Sequence, residues 1–312
     1  MVLDQEHQTD FEAELTREVR TKRDKFDHLA KSHPCLGGAA HFNFGRIHLP
    51  VSPTCNIQCK FCKRGFNKTA VRPGVSSLLL KPQEALATVD KALKLCPQIR
   101  VAGIAGPGDT LASEYALETF GLIKKKYPKL INCLSTNGLR LYEKADRIAA
   151  AGVETITVTV NAIDPEIQSK ICTFIIDENN RRIDGYEGSK LLINAQLKGI
   201  KKISDAGVIV KINSVLIPGI NDEHIKDVAH ATSSLGASIL NIIPLIPQNE
   251  LSDCKPPSCE MLEKVRQEAG QYLDVFRHCK HCRADACGVP GKNQDIHELL
   301  YDKKAAETFS HG

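Results

Sequence analysis

Three cysteines in the spacing C-x3-C-x2-C, Cys55, Cys59 and Cys62, constrain this chain more than any other feature. They follow an apolar run, Ile47-His48-Leu49-Pro50-Val51, that reads as a strand, so they belong to the loop leaving it. Thiolates this close on one loop can hold three corners of an iron–sulfur cubane, which takes soft ligands. The fourth iron then has no protein ligand. An open coordination position signals chemistry, as with catalytic zinc, whereas structural zinc is closed by four ligands. A zinc knuckle is the bland competing reading, and it needs a fourth ligand close by.

The remaining cysteines point the same way about compartment. Twelve cysteines with no apolar leader fit a reducing cytoplasm, where clustered thiols are more often metal ligands than disulfides. A net charge of +4 spread along 312 residues leaves no nucleic-acid footprint. No apolar run approaches the roughly 20 residues of a membrane span.

Beyond the cysteine motif, strands and helices alternate. Strands are expected at 47–51, 99–105, 131–136, 153–160, 208–217 and 239–246, with helices at 82–95, 113–127, 139–151, 189–206 and 222–235. Strand–helix alternation predicts parallel pairing and an α/β barrel or part-barrel, spanning 33–247. A charged helical arm, 1–32, precedes it, with Phe11, Leu15, Phe26 and Leu29 as a sparse apolar stripe and a solvated arm as the alternative. An extension, 248–312, follows; it holds a helix at 259–273 and a second C-x2-C, and its tail from Gly291 reads as dispensable. The stretch 172–188, rich in Asp, Asn and Gly, reads as a surface loop.

Polar and glycine-rich turns fall at the C-terminal ends of successive strands, where barrel enzymes carry their chemistry. These are Gly106-Pro107-Gly108-Asp109, Ser135-Thr136-Asn137, Asn161 to Asp164, and Asn213-Ser214 within the fifth strand. The triad spacing resembles the signature of the radical S-adenosylmethionine (SAM) enzymes. With that resemblance, the four turns around one barrel mouth are expected to form the SAM pocket.

Five further cysteines have a claim on metal. Cys279 and Cys282 form the second C-x2-C, with Cys287 five residues on, and a zinc site or redox pair stays open on spacing alone. Cys133 lies within the third strand and Cys35 in His33-Pro34-Cys35; a lone cysteine on an apolar strand is more often a core residue. Cys96, Cys172, Cys254 and Cys259 read as ordinary thiols.

Taken together, the motifs resemble the NifB family of nitrogenase cofactor biosynthesis proteins. The resemblance rests on His33-Pro34-Cys35, Cys55 to Cys62, Arg72-Pro73-Gly74-Val75, Gly106 to Asp109, Ser135 to Gly138, Asn161 to Ile167, Asn213 to Asp222 and Arg277 to Ala286. It implies a radical SAM barrel, or partial TIM barrel, whose N- and C-terminal extensions carry ligands of two auxiliary 4Fe–4S clusters. Cys35, Cys133 and a histidine match the ligands of one, and Cys279 and Cys282 those of the other. His48 is the preferred histidine, with His41 the runner-up. The implied activity methylates and fuses these substrate clusters. One SAM gives a methyl group to a sulfide, a second yields a 5′-deoxyadenosyl radical that takes one hydrogen from it, and loss of the remaining hydrogens with fusion of the two clusters gives an eight-iron carbide core. Implied partners are an iron–sulfur cluster donor, a ferredoxin or flavodoxin reductant, and a downstream carrier or scaffold protein, since the chain reads as a short form without a carrier domain.

Two departures stand out. Cys287 replaces an aliphatic residue, and the chain has no tryptophan where the family tends to have an aromatic segment after Ile167. A maturase with permanent auxiliary clusters, acting on a peptide or small molecule, is the alternative enzyme. An iron–sulfur carrier is the non-enzymatic one.

Overall fold

A computed structural model of the chain describes residues 20–67 and 69–301. A helix at 20–30 (α1) and Gly38–Asn43 (α2) lead into strand Gly45–His48 (β1). The triad loop carries three short strands, Ile57–Cys59 (β2), Gly65–Phe66 (β3) and Val75–Ser76 (β4). Pro82–Leu95 (α3), Ile99–Ile104 (β5), Tyr115–Lys126 (α4), Ile131–Thr136 (β6), Leu141–Ala150 (α5) and Val153–Thr159 (β7) follow. Next come Pro165–Ser169 (α6), Cys172–Ile176 (β8), Arg182–Asp184 (β9), Gly185–Asp205 (α7), Ile209–Leu216 (β10), Ile225–Ser234 (α8) and Ile239–Pro244 (β11). Cys259–Ala269 (α9), Cys287–Gly288 (β12) and His297–Leu300 (α10) complete the described chain.

The main sheet runs β11-β10-β7-β6-β5-β1-β12. Its six longer strands are parallel, and β12 adds antiparallel to β1, giving a curled half-barrel with helices outside. Local signals explain the helix starts. Pro82 opens α3, and the Glu84 carboxylate accepts the Lys81 N–H at 2.9 Å. Ser258, just past Pro256-Pro257, caps α9 by accepting from Met261 N–H at 3.1 Å.

The two faces of the sheet differ in chemistry. On the helix-covered face Ile47, Ala102, Leu134, Ile156 and Ile212 are fully buried against residues such as Val89, Phe120, Ile148 and Ile203. Each such aliphatic side chain contributes about 1.5–3 kcal/mol. The inner face starts with an apolar floor of Val101, Ile131, Ile209 and Ile239, closed by Leu29, Leu36 and Phe276. Above that floor the strands turn polar, with Cys133, Ser135, Thr157, Lys211, Asn213 and Asn241. The strands therefore read as apolar runs because one whole face and the inner floor are apolar, while their other inward positions line a polar lumen.

Two expectations need correction, and one alternative falls away. Residues 20–30 form the expected helix and it is not solvated: Phe26 and Leu29 pack on the barrel floor, and Lys22 and Lys25 donate to Gly236 O and Gly207 O, each at 2.6 Å. Phe11 and Leu15 lie outside the described residues. The stretch 172–188 is a hairpin entering a helix, because Cys172-Thr173-Phe174-Ile175-Ile176 pairs antiparallel with β2. The tail is not dispensable at its start. Asp295 accepts the N–H groups of Cys287 and His297, each at 3.1 Å, and Leu300 and Tyr301 are buried. Among the described residues no helix is long and apolar enough to cross a membrane.

Candidate metal centre

The triad loop is pinned from two sides. Pairing of β2 with β8 places Cys59 opposite Cys172, and Lys60 N–H donates to Ile171 O at 2.8 Å. From the other side Asn137, at the end of β6, donates from Nδ2 to Asn56 Oδ1 at 2.7 Å and lies 3.9 Å from Cys55 Sγ. Cys55, Cys59 and Cys62 are all half-buried and free of disulfides. Burial pushes the Cys55 thiol up to about 12, helped by nearby Asp109, and holds Cys59 well above the usual thiol range. Cys62 is also raised by burial, with Arg64 and Arg72 pulling it down. Such thiols ionise only when a cation replaces the proton, so metal uptake here releases protons. The donor set, three soft sulfurs on one loop, fits three corners of a 4Fe–4S cluster.

Asp109 holds this mouth together. Its carboxylate accepts from Leu111 N–H (2.9 Å), Asn137 N–H (2.6 Å) and the Thr136 hydroxyl (3.0 and 3.1 Å). The preceding turn brings its backbone against the chain before Cys55: a Cβ on Gly108 would lie 1.9 Å from Thr54 O. Asp109→Asn points an amide N–H at a donor it cannot satisfy. A loss of about 1–3 kcal/mol is expected from denaturant melts, because one buried donor goes unpaired.

The polar turns differ in what they leave available. Ser135 and Asn213 face the lumen, although Asn213 Oδ1 already accepts from Asn241 at 3.1 Å. Thr136 is bound to Asp109. Asn161 Oδ1 accepts Val215 N–H at 2.9 Å, and Asp164 is an exposed cap of α6. Ser214, fully buried on the outer face, donates to Val160 O at 2.5 Å. Asn161, Asp164 and Ser214 thus shape the rim through backbone contacts.

A second group of thiols surrounds the lumen below the triad. Backbone register sets His48, Gly103, Cys133 and Thr155 in one row across β1, β5, β6 and β7. Cys35 enters from the N-terminal segment and lies in the field of Cys133 and Cys282. Cys282 Sγ accepts from Arg46 Nη2 at 3.1 Å, and Cys279 lies near the exposed rim. Burial raises the Cys133 thiol and pushes Cys35 up to about 12. His48 donates from Nδ1 to Arg283 O at 3.0 Å, which leaves its Nε2 lone pair available. Its ring lies over Gly103, where a Cβ would approach Cδ2 to 3.0 Å. His41 instead bonds Pro34 O at 2.9 Å and stacks on His278, outside that row.

His33, which no local pattern marks as a partner of this group, accepts Cys35 N–H at Nδ1 (3.1 Å) and faces the Thr155 hydroxyl at 3.3 Å. Burial lowers its pKa to about 3 and that of His48 to about 4. Unfolded, both take up protons near 6.5, so the unfolded state binds more protons in the window between. Their contribution is therefore present above pH 6.5 and lost as pH falls toward 4. In iron-free protein, the unfolding free energy from urea melts is expected to drop across that window, by up to about 2.7 kcal/mol per pH unit for the two groups together. His33→Asn should flatten part of the slope.

The segment carrying Cys279 and Cys282 is clamped to the triad loop. Arg283, 1% exposed in its side chain, pairs with the fully buried Asp285 at 2.8 Å. The guanidinium also donates to Ala70 O (2.5 Å) and Asn67 O (2.8 Å), and Asp285 accepts Ser77 N–H at 2.6 Å. β12 then zips onto β1, with Ile47 opposite Cys287. This puts Cys287 on the outer, apolar face near Cys96, so it packs as a small hydrophobe. Cys172, read from sequence as an ordinary thiol, is the strand partner of Cys59; only the hairpin pairing reveals this.

Comparison with known proteins gives the family and the fold. Residues 49–231 match the family model of the radical SAM superfamily. A radical SAM methyltransferase from Sphaerobacter thermophilus shares the fold, with a TM-score of 0.56 at 16% identity over 74% of this chain and 65% of that one. The protein is thus of the radical SAM class, whose cofactors are SAM and a 4Fe–4S cluster.

Among curated proteins, two called "FeMo cofactor biosynthesis protein NifB" are each 46% identical to it. The one from Methanocaldococcus jannaschii aligns over 91% of this chain and 95% of its own length, that from Methanocaldococcus infernus over 90% and 93%. The Klebsiella pneumoniae protein of that name is 42% identical over 85% of this chain but only 58% of its own length. The chain belongs to the NifB family.

Proposed function

We propose that this chain takes part in FeMo cofactor biosynthesis by methylating and fusing two four-iron clusters into an eight-iron, carbide-containing precursor. The observation that carries the reading is the convergence of Cys35, Cys133, Cys282 and His48 on one lumen directly beneath the triad loop. Cys55, Cys59 and Cys62 hold the SAM cluster, which when bound supplies reductive cleavage of SAM. Ser135, Asn213 and the backbone of the Gly106–Asp109 turn bind and orient SAM above the lumen. The apolar floor formed by Val101, Ile131, Ile209 and Phe276 excludes water beneath the reacting clusters.

Sparse ligation suits clusters that are substrate. Two auxiliary clusters share Cys35, Cys133, His48, Cys279 and Cys282, too few ligands to saturate both, so the product can leave. Cys62 lines a surface depression of about 590 Å³ with Lys63, Arg64 and Glu250, an open approach to the triad for a ferredoxin or flavodoxin. A cluster donor and a downstream carrier complete the expected partners.

The test uses anaerobically reconstituted protein, SAM and dithionite. 5′-Deoxyadenosine and S-adenosylhomocysteine should form together, and the released cluster should activate a cofactor-deficient nitrogenase. Deoxyadenosine alone, with all iron kept on the protein, would favour a maturase with permanent clusters. Neither product would leave an iron–sulfur carrier.

A further inference from the structure

Lys211 is a buried ammonium that pairs with no carboxylate among the described residues. It stands on the inner face of β10, 5% exposed, with Nζ donating to Cys35 O at 2.7 Å and lying 4.1 Å from the centroid of the Phe276 ring. The largest charges acting on it come from Cys35, Cys279, Cys133 and Cys282, every one a thiol; His33, which also lies in its field, is held neutral by burial. Its neighbours in register, Thr157 on β7 and Ile239 on β11, are uncharged. Arg46 enters the same space from β1 against Cys282, and Asp295 acts on Arg46. A buried charge without a counter-charge costs several kcal/mol, even with a carbonyl and a ring face as partial substitutes. Four protonated thiols supply no counter-charge. Four iron-bound thiolates do.

We infer that Lys211 is the built-in counter-charge of the auxiliary-cluster site, which makes the lumen selective for a polyanionic, thiolate-ligated cluster. This rests on the ligand assignment proposed above and specifies the charge of the substrate that the site accepts. Lys211 is a positioning residue: it fixes the backbone of Cys35 through the carbonyl and offsets the thiolates of all four cysteines. It also favours the reduced, more negative cluster, and it leaves an empty lumen electrostatically primed for the next one.

The test compares wild-type, Lys211→Met and Lys211→Arg full-length chains, prepared anaerobically. Iron-free K211M should melt at a higher temperature than wild type, because an uncompensated charge is gone. After reconstitution, K211M should hold auxiliary iron at least about tenfold more weakly against a ferrous chelator. Its reduced auxiliary clusters, followed by electron paramagnetic resonance, should titrate at lower potential. K211R should restore retention, and iron at the Cys55/Cys59/Cys62 triad serves as the folding control. A K211M protein that melts lower when iron-free, yet keeps wild-type retention and potential, would reduce Lys211 to a structural tether and overturn the inference. Wild-type protein whose iron content is unchanged by Cys35→Ser and Cys282→Ser would instead overturn the ligand assignment, and the counter-charge role with it.

Discussion

Cys55→Ala is expected to abolish 5′-deoxyadenosine formation, by more than about a hundredfold, since even partners outside the metal's own ligands cost about 10–100-fold. Cys55 is the informative member of the triad. Cys59 has a second thiol, Cys172, as its strand partner, so a Cys59 variant could recruit a substitute ligand. Cys55 belongs to no strand and so has no strand partner; Asn137 and Asp109 stand beside it. Iron content and the deoxyadenosine yield should therefore fall together in C55A, and more steeply than in C59A. Equal yields from C55A and wild type would remove the triad from the chemistry.

Asp285→Ala is expected to produce the largest stability loss. It strands the Arg283 guanidinium, 1% exposed, with only neutral acceptors at Ala70 O, Asn67 O and the Ser77 hydroxyl. Removing one partner of a buried ion pair costs about 3–5 kcal/mol. At about 2 °C per kcal/mol for a chain of this size, the melting midpoint should fall by about 6–10 °C. The Ser77 N–H loses its acceptor in the same step, so the 67–77 segment and the Cys279/Cys282 segment should loosen together. The double variant Arg283→Met/Asp285→Leu should recover part of the midpoint, because it removes the stranded charge. It should not recover auxiliary iron, because the clamp that places Cys282 is still missing. Full recovery of both would show that the pair contributes charge balance and no positioning.

Much of this protein can be read from local pattern. The strand–helix alternation predicts the parallel strands β5, β6, β7, β10 and β11 within a few residues, since apolar β-branched runs and helical periodicity are short-range signals. The triad is equally legible, because its chemistry depends on spacing within one loop. The hairpin β8–β9 looks like a loop in the sequence because its Asp and Asn residues form the turn between two short strands. Its pairing with β2 is non-local.

The lumen is where tertiary structure decides. A lone Cys133 on an apolar strand is a core residue by any local rule, and Lys211 looks like an interruption of a strand. Register across five strands sets His48, Cys133 and Lys211 inward, while Cys287, one position away from the equally plausible inward face, turns outward into the apolar layer. Alternation of side chains along a strand makes that choice absolute: one residue of register moves a thiol from cluster site to core. Three closely spaced thiols and the βα repeat are local patterns, and they suffice for the class of chemistry. Which distant thiols face one another, and which cation they face, was decided only when the half-barrel closed and the C-terminal strand β12 zipped onto its first strand.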